Sequence, residues 1–345
     1  MILEGILIFF VIFSFGSYVA VKFSQSRNKK IFFKAGVYRP FIWTVILLIL
    51  AAIVVTLLFS SQPIDLSFLQ LEADEGLDPE LYREEGQWFR YYWFQMVEFF
   101  TSLNLLGLLS ALLVLSAWLY YVRSLDFFHR EGAKYSVVTL LLGMLFTFLV
   151  FPLGDLFEAV LTISYSSSAL YNLFVYSFLG IGLVEETVKL IPVLLILWFT
   201  DKIDEPFDLI YYACLSALGF AFIENLQYFQ DLSGSVLMGR ALTAAVGHMI
   251  NATIVVYGIL LYKFHPTKNG WWLIILYFLL GSFLHGLYNY LLFEDHWMIF
   301  MIFFILLIQA WIVAINNAIN NSKHFDYGIV FQHDKVKFRL ALFLT

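Results

Sequence analysis

Glu185 and Glu186 stand side by side in a segment, Ala169 to Phe199, that is otherwise almost wholly apolar, and Lys189 follows one helical turn later. An ionised side chain at bilayer depth costs at least roughly 2.5 kcal/mol, so an intramembrane carboxylate is by default a sign of function. Three later apolar segments carry polar groups too: Glu224 with Asn225, Arg240 with His248, and His285 with Asn289. Carboxylates, imidazoles and an amine are the groups that take up and release protons. Their recurrence points to acid/base chemistry inside a membrane.

Helical geometry assigns these groups to faces, since residues three and four apart lie one above the other. Glu185 and Lys189 are related as i, i+4, while Glu186 reaches Lys189 at i+3 and points about 100° around the helix. Lys189 can therefore neutralise one glutamate and leave the other to titrate. Pro192 deprives the Val188 carbonyl of its partner, so a kink is expected just beyond the pair. In the next segment Phe220, Glu224 and Tyr228 share a stripe. Arg240, Ala244, His248 and Asn251 form another, and Gly281, His285 and Asn289 a third. Small residues beside polar ones mark helix contacts at which backbones approach closely.

The elements that must hold these faces are transmembrane helices. The chain of 345 residues is 61% hydrophobic and only 13% charged, with 38 Phe, 20 Tyr and 9 Trp, against roughly 25% charged in a soluble domain. That composition predicts an all-α polytopic helical bundle embedded in a lipid bilayer. The net charge of −6 and the absence of a basic face argue against a nucleic-acid partner. Cys214 is the single cysteine, which excludes an intramolecular disulfide and a cysteine-based zinc site.

About nine apolar stretches approach the ~20 residues a span needs: 2–22, 41–60, 98–121, 136–153, 170–199, 207–229, 240–262, 271–292 and 297–316. The first carries Glu4 and has no basic n-region, so it is read as a span and not a cleaved signal. With the N-terminus outside, Lys22, Arg27, Lys29, Lys30, Lys34, Arg39, Arg123, Arg130, Lys134, Lys202, Lys263, Lys268 and the basic residues of the tail fall inside. Only Arg83, Arg90 and Arg240 fall outside. The organisation expected is an N-terminal membrane region, 1–135, with an acidic extracytoplasmic loop at 61–97, then a membrane core at 136–316 and a cytoplasmic polar tail at 317–345. Within the loop, Asp78-Pro79 reads as a helix start, and WFRYYWF as an aromatic belt leading into the third span. The tail's closing FQHDKVKFRLALFLT reads as a short hairpin or surface helix.

The ordered set Glu185-Glu186-x-x-Lys189, Phe220-x-x-x-Glu224-Asn225-x-x-Tyr228, Arg240 with His248, and His285-x-x-x-Asn289 resembles the PrsW family of intramembrane proteases, distant relatives of the CAAX prenyl endopeptidases. The resemblance covers about half of the chain, roughly 136–316. It implies a multi-pass protease of the bacterial plasma membrane. Bacterial members act as site-1 proteases on membrane-anchored anti-sigma factors, so an anti-sigma-like membrane protein is the implied substrate.

The residues agree with that activity on chemical grounds. Peptide hydrolysis needs a base for water, donors for the oxyanion and an acid for the leaving amine. No Ser–His–Asp or Ser–Lys set is apparent in the spans, and Cys214 has no evident partner. A carboxylate-activated water remains, with Glu185 or Glu186 as base and Glu185 the first choice. Lys189 would hold the other glutamate ionised, and His248 with His285 would position water or polarise the carbonyl. Asn289 would donate to the oxyanion, while Arg240 suits a structural or gating role. Glu224 completes the catalytic set, with Asn225 and Tyr228 in support. A zinc ion held by His248, His285 and either Glu185 or Glu224 is the alternative, although no H-E-x-x-H stands on one helix. The competing class is a proton- or ion-coupled transporter, which also uses intramembrane carboxylates and histidines. Transporters commonly show repeated halves, whereas the polar motifs here occupy one half of the chain and differ from one another.

Overall fold

The computed structural model describes residues 38–58, 79–103, 105–126, 129–161, 170–266 and 270–324. Among these the chain is helical, with no strand. The helices in order are α1 (Tyr38–Leu58), α2 (Pro79–Glu84), α3 (Trp88–Thr101), α4 (Leu105–Ser124), α5 (Ala133–Thr147) and α6 (Val150–Leu161). Residues 170–199 form α7, whose middle, Tyr176–Leu183, is π-helical between Leu170–Val175 and Val184–Phe199. Then come α8 (Pro206–Tyr228), α9 (Gly234–Phe264, with a π segment at Arg240–Ala244), α10 (Trp271–Phe293) and α11 (Trp297–Asn320).

Five of these, α4, α8, α9, α10 and α11, are long and apolar enough to cross a membrane. The pair α5–α6 adds a sixth if it is one span, bent by 43°. The stretch 136–153 expected to be a span is thus built from two helices, α5 and the start of α6, meeting at an angle. The expected span at 98–121 is corrected. The aromatic run is a helix of its own, α3, which ends at Thr101 where the Ser102 N–H donates to the Glu98 carbonyl, and the next helix begins only at Leu105. Thr101, Ser102 and Asn104 interrupt the apolar run with residues that favour helix ends, a short signal that a reading by span length passes over. Helix α2 begins at Pro79 as expected. Asp78, the first span at 2–22 and the tail beyond His324 lie outside the described residues. Helix α11 continues to Asn320, four residues beyond the expected end of the last span at 316.

Helix α8 is the axis of the bundle. Leu209 through Ala221 are all buried, and the helix packs against α4, α5, α7 and α9. Its run of Ala, Ser, Cys and Gly keeps it narrow enough to be surrounded on all sides. Helix α10 packs against α9 and against the π segment of α7, and there the contact is backbone on backbone. A Cβ on Gly286 would lie 2.5 Å from the Phe178 Cα, and one on Gly182 would lie 2.3 Å from the Ser282 carbonyl oxygen. Neither neighbour is a flexible side chain that could give way. Gly286→Val is therefore expected to cost about 1–3 kcal/mol, the usual range for overpacking, read as a lowered unfolding temperature in detergent. An unchanged temperature would show that α7 and α10 do not approach this closely.

Each π segment lies just before polar residues of the site, Tyr176–Leu183 before Glu185 and Glu186, and Arg240–Ala244 before His248. A π turn inserts an extra residue and rotates the helix beyond it, and such turns are frequent at functional sites. The second is anchored from outside, since the Trp118 indole N–H donates to the Ala241 carbonyl at 2.8 Å.

Candidate active site

Helices α7, α8, α9 and α10 bring their polar faces to one point. Lys189, only 1% exposed, is at its centre. Its Nζ lies 3.1 Å from Glu185 Oε2, 2.9 Å from Glu186 Oε1 and 2.8 Å from His248 Nδ1, so all three ammonium protons have acceptors. The Phe220 ring, 4.3 Å from Nζ, closes the remaining side with a cation–π contact. The Ser216 hydroxyl donates to the Lys189 carbonyl at 2.7 Å and ties α8 to α7 beside Pro192.

This network sets both imidazole tautomers. Because the ammonium donates to His248 Nδ1, the His248 Nε2–H donates to Glu224 Oε2 at 2.7 Å. His285 Nδ1–H donates to Glu186 Oε1 at 2.9 Å, which leaves its Nε2 facing Glu185 Oε2 at 3.6 Å. Glu224 is held from the other side by Arg240, whose Nη2 is 2.7 Å away and whose Nε donates to Asn225 Oδ1 at 2.9 Å. The Arg240 guanidinium rests over the Tyr228 ring at 4.2 Å. Three carboxylates (Glu185, Glu186, Glu224) against two cations (Lys189, Arg240) leave this buried centre at a net charge of −1 when both imidazoles are neutral. One carboxylate is thus without a full cation of its own.

A cavity of about 440 Å³ opens onto the centre, within the range of small-ligand and substrate pockets. Glu185, Glu224, His248, His285 and Asn289 all line it, as do Arg240 and Tyr228. Glu186, Lys189 and Asn225 do not; they stand behind the lining residues and hold them. Asn289 is one helical turn beyond His285, and no other described residue bonds its side-chain amide. Asn251, expected on the His248 face, is buried away from the cavity. Sequence reasoning missed Tyr288 and Thr243, which line the cavity and bond to each other, hydroxyl to hydroxyl, at 3.0 Å. Tyr288 follows His285 by three residues, and that spacing was the available signal. A second cavity of about 200 Å³, walled by Gln95, Asp155, Glu158 and Tyr176, reaches Glu185 from the side of α3 and α6.

The cavity lies at the bundle end formed by the α8–α9 and α10–α11 turns, since Tyr228, Val236, Phe293 and Trp297 border it. The basic residues Arg123, Arg130, Lys134, Lys202, Lys263 and Lys323 lie in the connections or the adjoining helix turns at the opposite end.

The centre also offers a metal-ligand set. Ligand atoms of Glu185, His248 and His285, all buried, lie within 4.8 Å of one another. Glu185 Oε2 is 3.6 Å from His285 Nε2 and 3.9 Å from His248 Nδ1. Zinc bonds of about 2.1 Å place neighbouring tetrahedral ligands about 3.4 Å apart, so type and spacing both fit. The Glu186–His285 hydrogen bond is the carboxylate–histidine support common behind metal-bound imidazoles. Lys189 Nζ is the competing occupant, because it already contacts His248 Nδ1 and Glu185 Oε2 and would have to turn aside.

Residues 131–315 match a family model described as PrsW family intramembrane metalloprotease. The Protease PrsW of Clostridioides difficile (strain 630) is 28% identical over 232 residues, covering 64% of this chain and 94% of that relative. That of Geobacillus kaustophilus (strain HTA426) is 33% identical over 143 residues, covering 41% of this chain and 62% of the relative. That of Oceanobacillus iheyensis is 31% identical over 175 residues, covering 48% and 78% respectively. No solved structure matches the chain.

Proposed function

The chain belongs to the PrsW family of intramembrane metalloproteases, and from that premise we propose that this multi-pass membrane peptidase cuts a membrane-anchored protein in the cavity at Glu185. The observation that carries the reading is the convergence of Glu185, Glu224, His248, His285 and Asn289, from four helices, on one cavity.

Glu185 is the glutamate that meets the cavity, and Glu186 is the one bound behind it. Glu185 therefore acts as the base, taking a proton from water as the water oxygen attacks the scissile carbonyl carbon. Asn289, on the cavity wall with its amide uncommitted, donates to the developing oxyanion. His285 Nε2 faces the same water position beside Glu185, and Glu186 fixes that ring through Nδ1. As the C–N bond breaks, the proton held by Glu185 passes to the leaving nitrogen. Arg240 pairs with Glu224 and fixes His248 through it. A metal ion, if bound, would be held by His248, His285 and Glu185 and would supply Lewis acidity to the water and the carbonyl.

Because Lys189 engages two of those ligands, turnover is expected to survive dialysis against a strong chelator that leaves far less than one zinc per chain by elemental analysis. Zinc that His285→Ala fails to hold, and whose removal abolishes turnover, would make His248 and His285 ligands instead.

The basic connections at the end away from the cavity support an orientation with the C-terminus cytoplasmic and the cavity toward the extracytoplasmic face. An anti-sigma-like protein with a single span is the substrate class the family resemblance supports. The test is incubation of the purified chain in detergent with candidate single-span proteins. Two fragments separated by one hydrolysed peptide bond are expected. Intact substrates throughout, together with proton or ion flux in vesicles, would establish the transporter reading instead.

A further inference from the structure

At the bundle end away from the cavity, three connections meet: the one between α4 and α5, the turn between α7 and α8, and the residues after α11. They contribute His129, Asp204 and His324, whose ligand atoms lie within 4.8 Å of one another. The two imidazoles are stacked, with ring centroids 4.6 Å apart and planes 21° apart, so nitrogens on neighbouring edges can address a single point. His324 Nε2 is 3.7 Å from Asp204 Oδ2.

The hydrogen bonding here is incomplete in a specific way. Asp204 Oδ2 takes the Lys323 ammonium at 2.7 Å, but Asp204 Oδ1 and His324 Nε2 are buried atoms with no hydrogen-bond partner among the described residues. Asp208, fully buried, accepts the backbone N–H groups of Asp204 at 2.9 Å and Glu205 at 2.8 Å through Oδ2, and its Oδ1 has no partner among the described residues. The great majority of buried polar atoms in folded proteins are bonded, and an unsatisfied one calls for an explanation such as an ion. Two imidazoles with a carboxylate suit a first-row divalent ion better than magnesium or calcium, which prefer all-oxygen sites.

We propose that His129, Asp204 and His324 form a second metal site, for zinc or a chemically similar divalent ion, that clamps the chain after α11 onto the α4–α5 and α7–α8 connections. Tetrahedral zinc needs ligand atoms about 3.4 Å apart. The set must therefore close slightly, and His129, which is exposed, is free to rotate inward. The site is separate from the peptidase centre: Asp204 follows Glu185 by 19 residues, most of them helical at about 1.5 Å each. Its role is mechanical, since α7 carries Glu185 at its middle and α8 carries Glu224 near its far end, and the clamp fixes the ends of both helices nearest the ion.

The test uses the full chain purified in detergent and titrated with cobalt(II), whose absorption reports tetrahedral binding, and with zinc in competition. Wild type is expected to bind, and to melt at a higher temperature with zinc than without, because an ion that binds only the folded state stabilises it. His324→Ala and His129→Ala should each weaken this binding at least about tenfold, since even the loss of an outer-shell partner costs 10–100-fold. His285→Ala in the peptidase centre should leave it intact. His129 is exposed, so its replacement is not expected to disturb folding, which keeps the test decisive even if His324→Ala fails to fold. Unchanged binding in His129→Ala, binding lost only in His285→Ala, or no binding by wild type would each overturn the proposal. The result is independent of whether the chain cuts any given substrate.

Discussion

Glu185→Gln should lower turnover by about 10²–10⁴-fold, the usual cost of losing a positioned acid/base group, while the protein still folds and inserts. Glutamine keeps the shape of the side chain and an oxygen that can still accept from Lys189, which also retains Glu186 and His248. The change takes the centre from a net charge of −1 to zero, so no charge is stranded. Only the capacity to take a proton from water is lost. Glu186→Gln provides the contrast. Glu186 does not meet the cavity and supports the His285 ring through Nδ1, so its replacement should act through ring position and cost about 10–100-fold, as losses of supporting partners do. Initial rates of both variants on a substrate that wild type cuts, with unfolding temperatures measured alongside, separate the roles. A Glu185→Gln enzyme that turns over like wild type would remove Glu185 as the base.

Lys189→Met should have the largest effect on stability. The ammonium satisfies Glu185, Glu186 and His248 at once, and every one of these groups is buried. Methionine fills a similar volume but leaves two neighbouring carboxylates without their shared cation. Breaking a buried ion pair from one side typically costs about 3–5 kcal/mol, because the charge left behind is uncompensated. A fall in unfolding temperature, together with loss of turnover, is expected. Adding Glu185→Gln to Lys189→Met should recover part of the loss, and the double-mutant cycle measures the coupling. A Lys189→Met protein as stable as wild type would mean that water or a bound cation replaces the ammonium.

Much of the site could be read from spacing alone, because polar residues three and four apart must share a helical face. The i, i+4 relation of Glu185 and Lys189 is an ion pair in the structure. What the spacing did not contain is how one helix sits against another. It suggested that Lys189 serves one glutamate. In three dimensions the ammonium joins both and also reaches His248 on α9, a contact fixed by the packing of α7, α8 and α9. The stretch 170–199 runs through Gly180 and Gly182 in π geometry, a local change of helix type that apolar periodicity does not reveal. The boundary after Thr101 was marked only by the short polar stretch Thr101, Ser102 and Asn104, which a search for apolar stretches of span length reads through. The His129, Asp204 and His324 cluster had no sequence signal, because its members stand on three connections far apart in the chain and share no period.

The location of the cavity sets where a substrate is cut. A peptide bond inside an intact helix is shielded by its own hydrogen bonds, and lipid offers nothing to replace them. Cleavage is therefore expected where a substrate helix can fray, at or just beyond the end of its span at the membrane face onto which the α8–α9 and α10–α11 turns open. Mass spectrometry of the products from a single-span substrate fixes the bond that is cut. A cut at the extracytoplasmic end of the span is expected; a cut mapped to the cytoplasmic flank would contradict both the orientation and the assignment of the cavity as the active site.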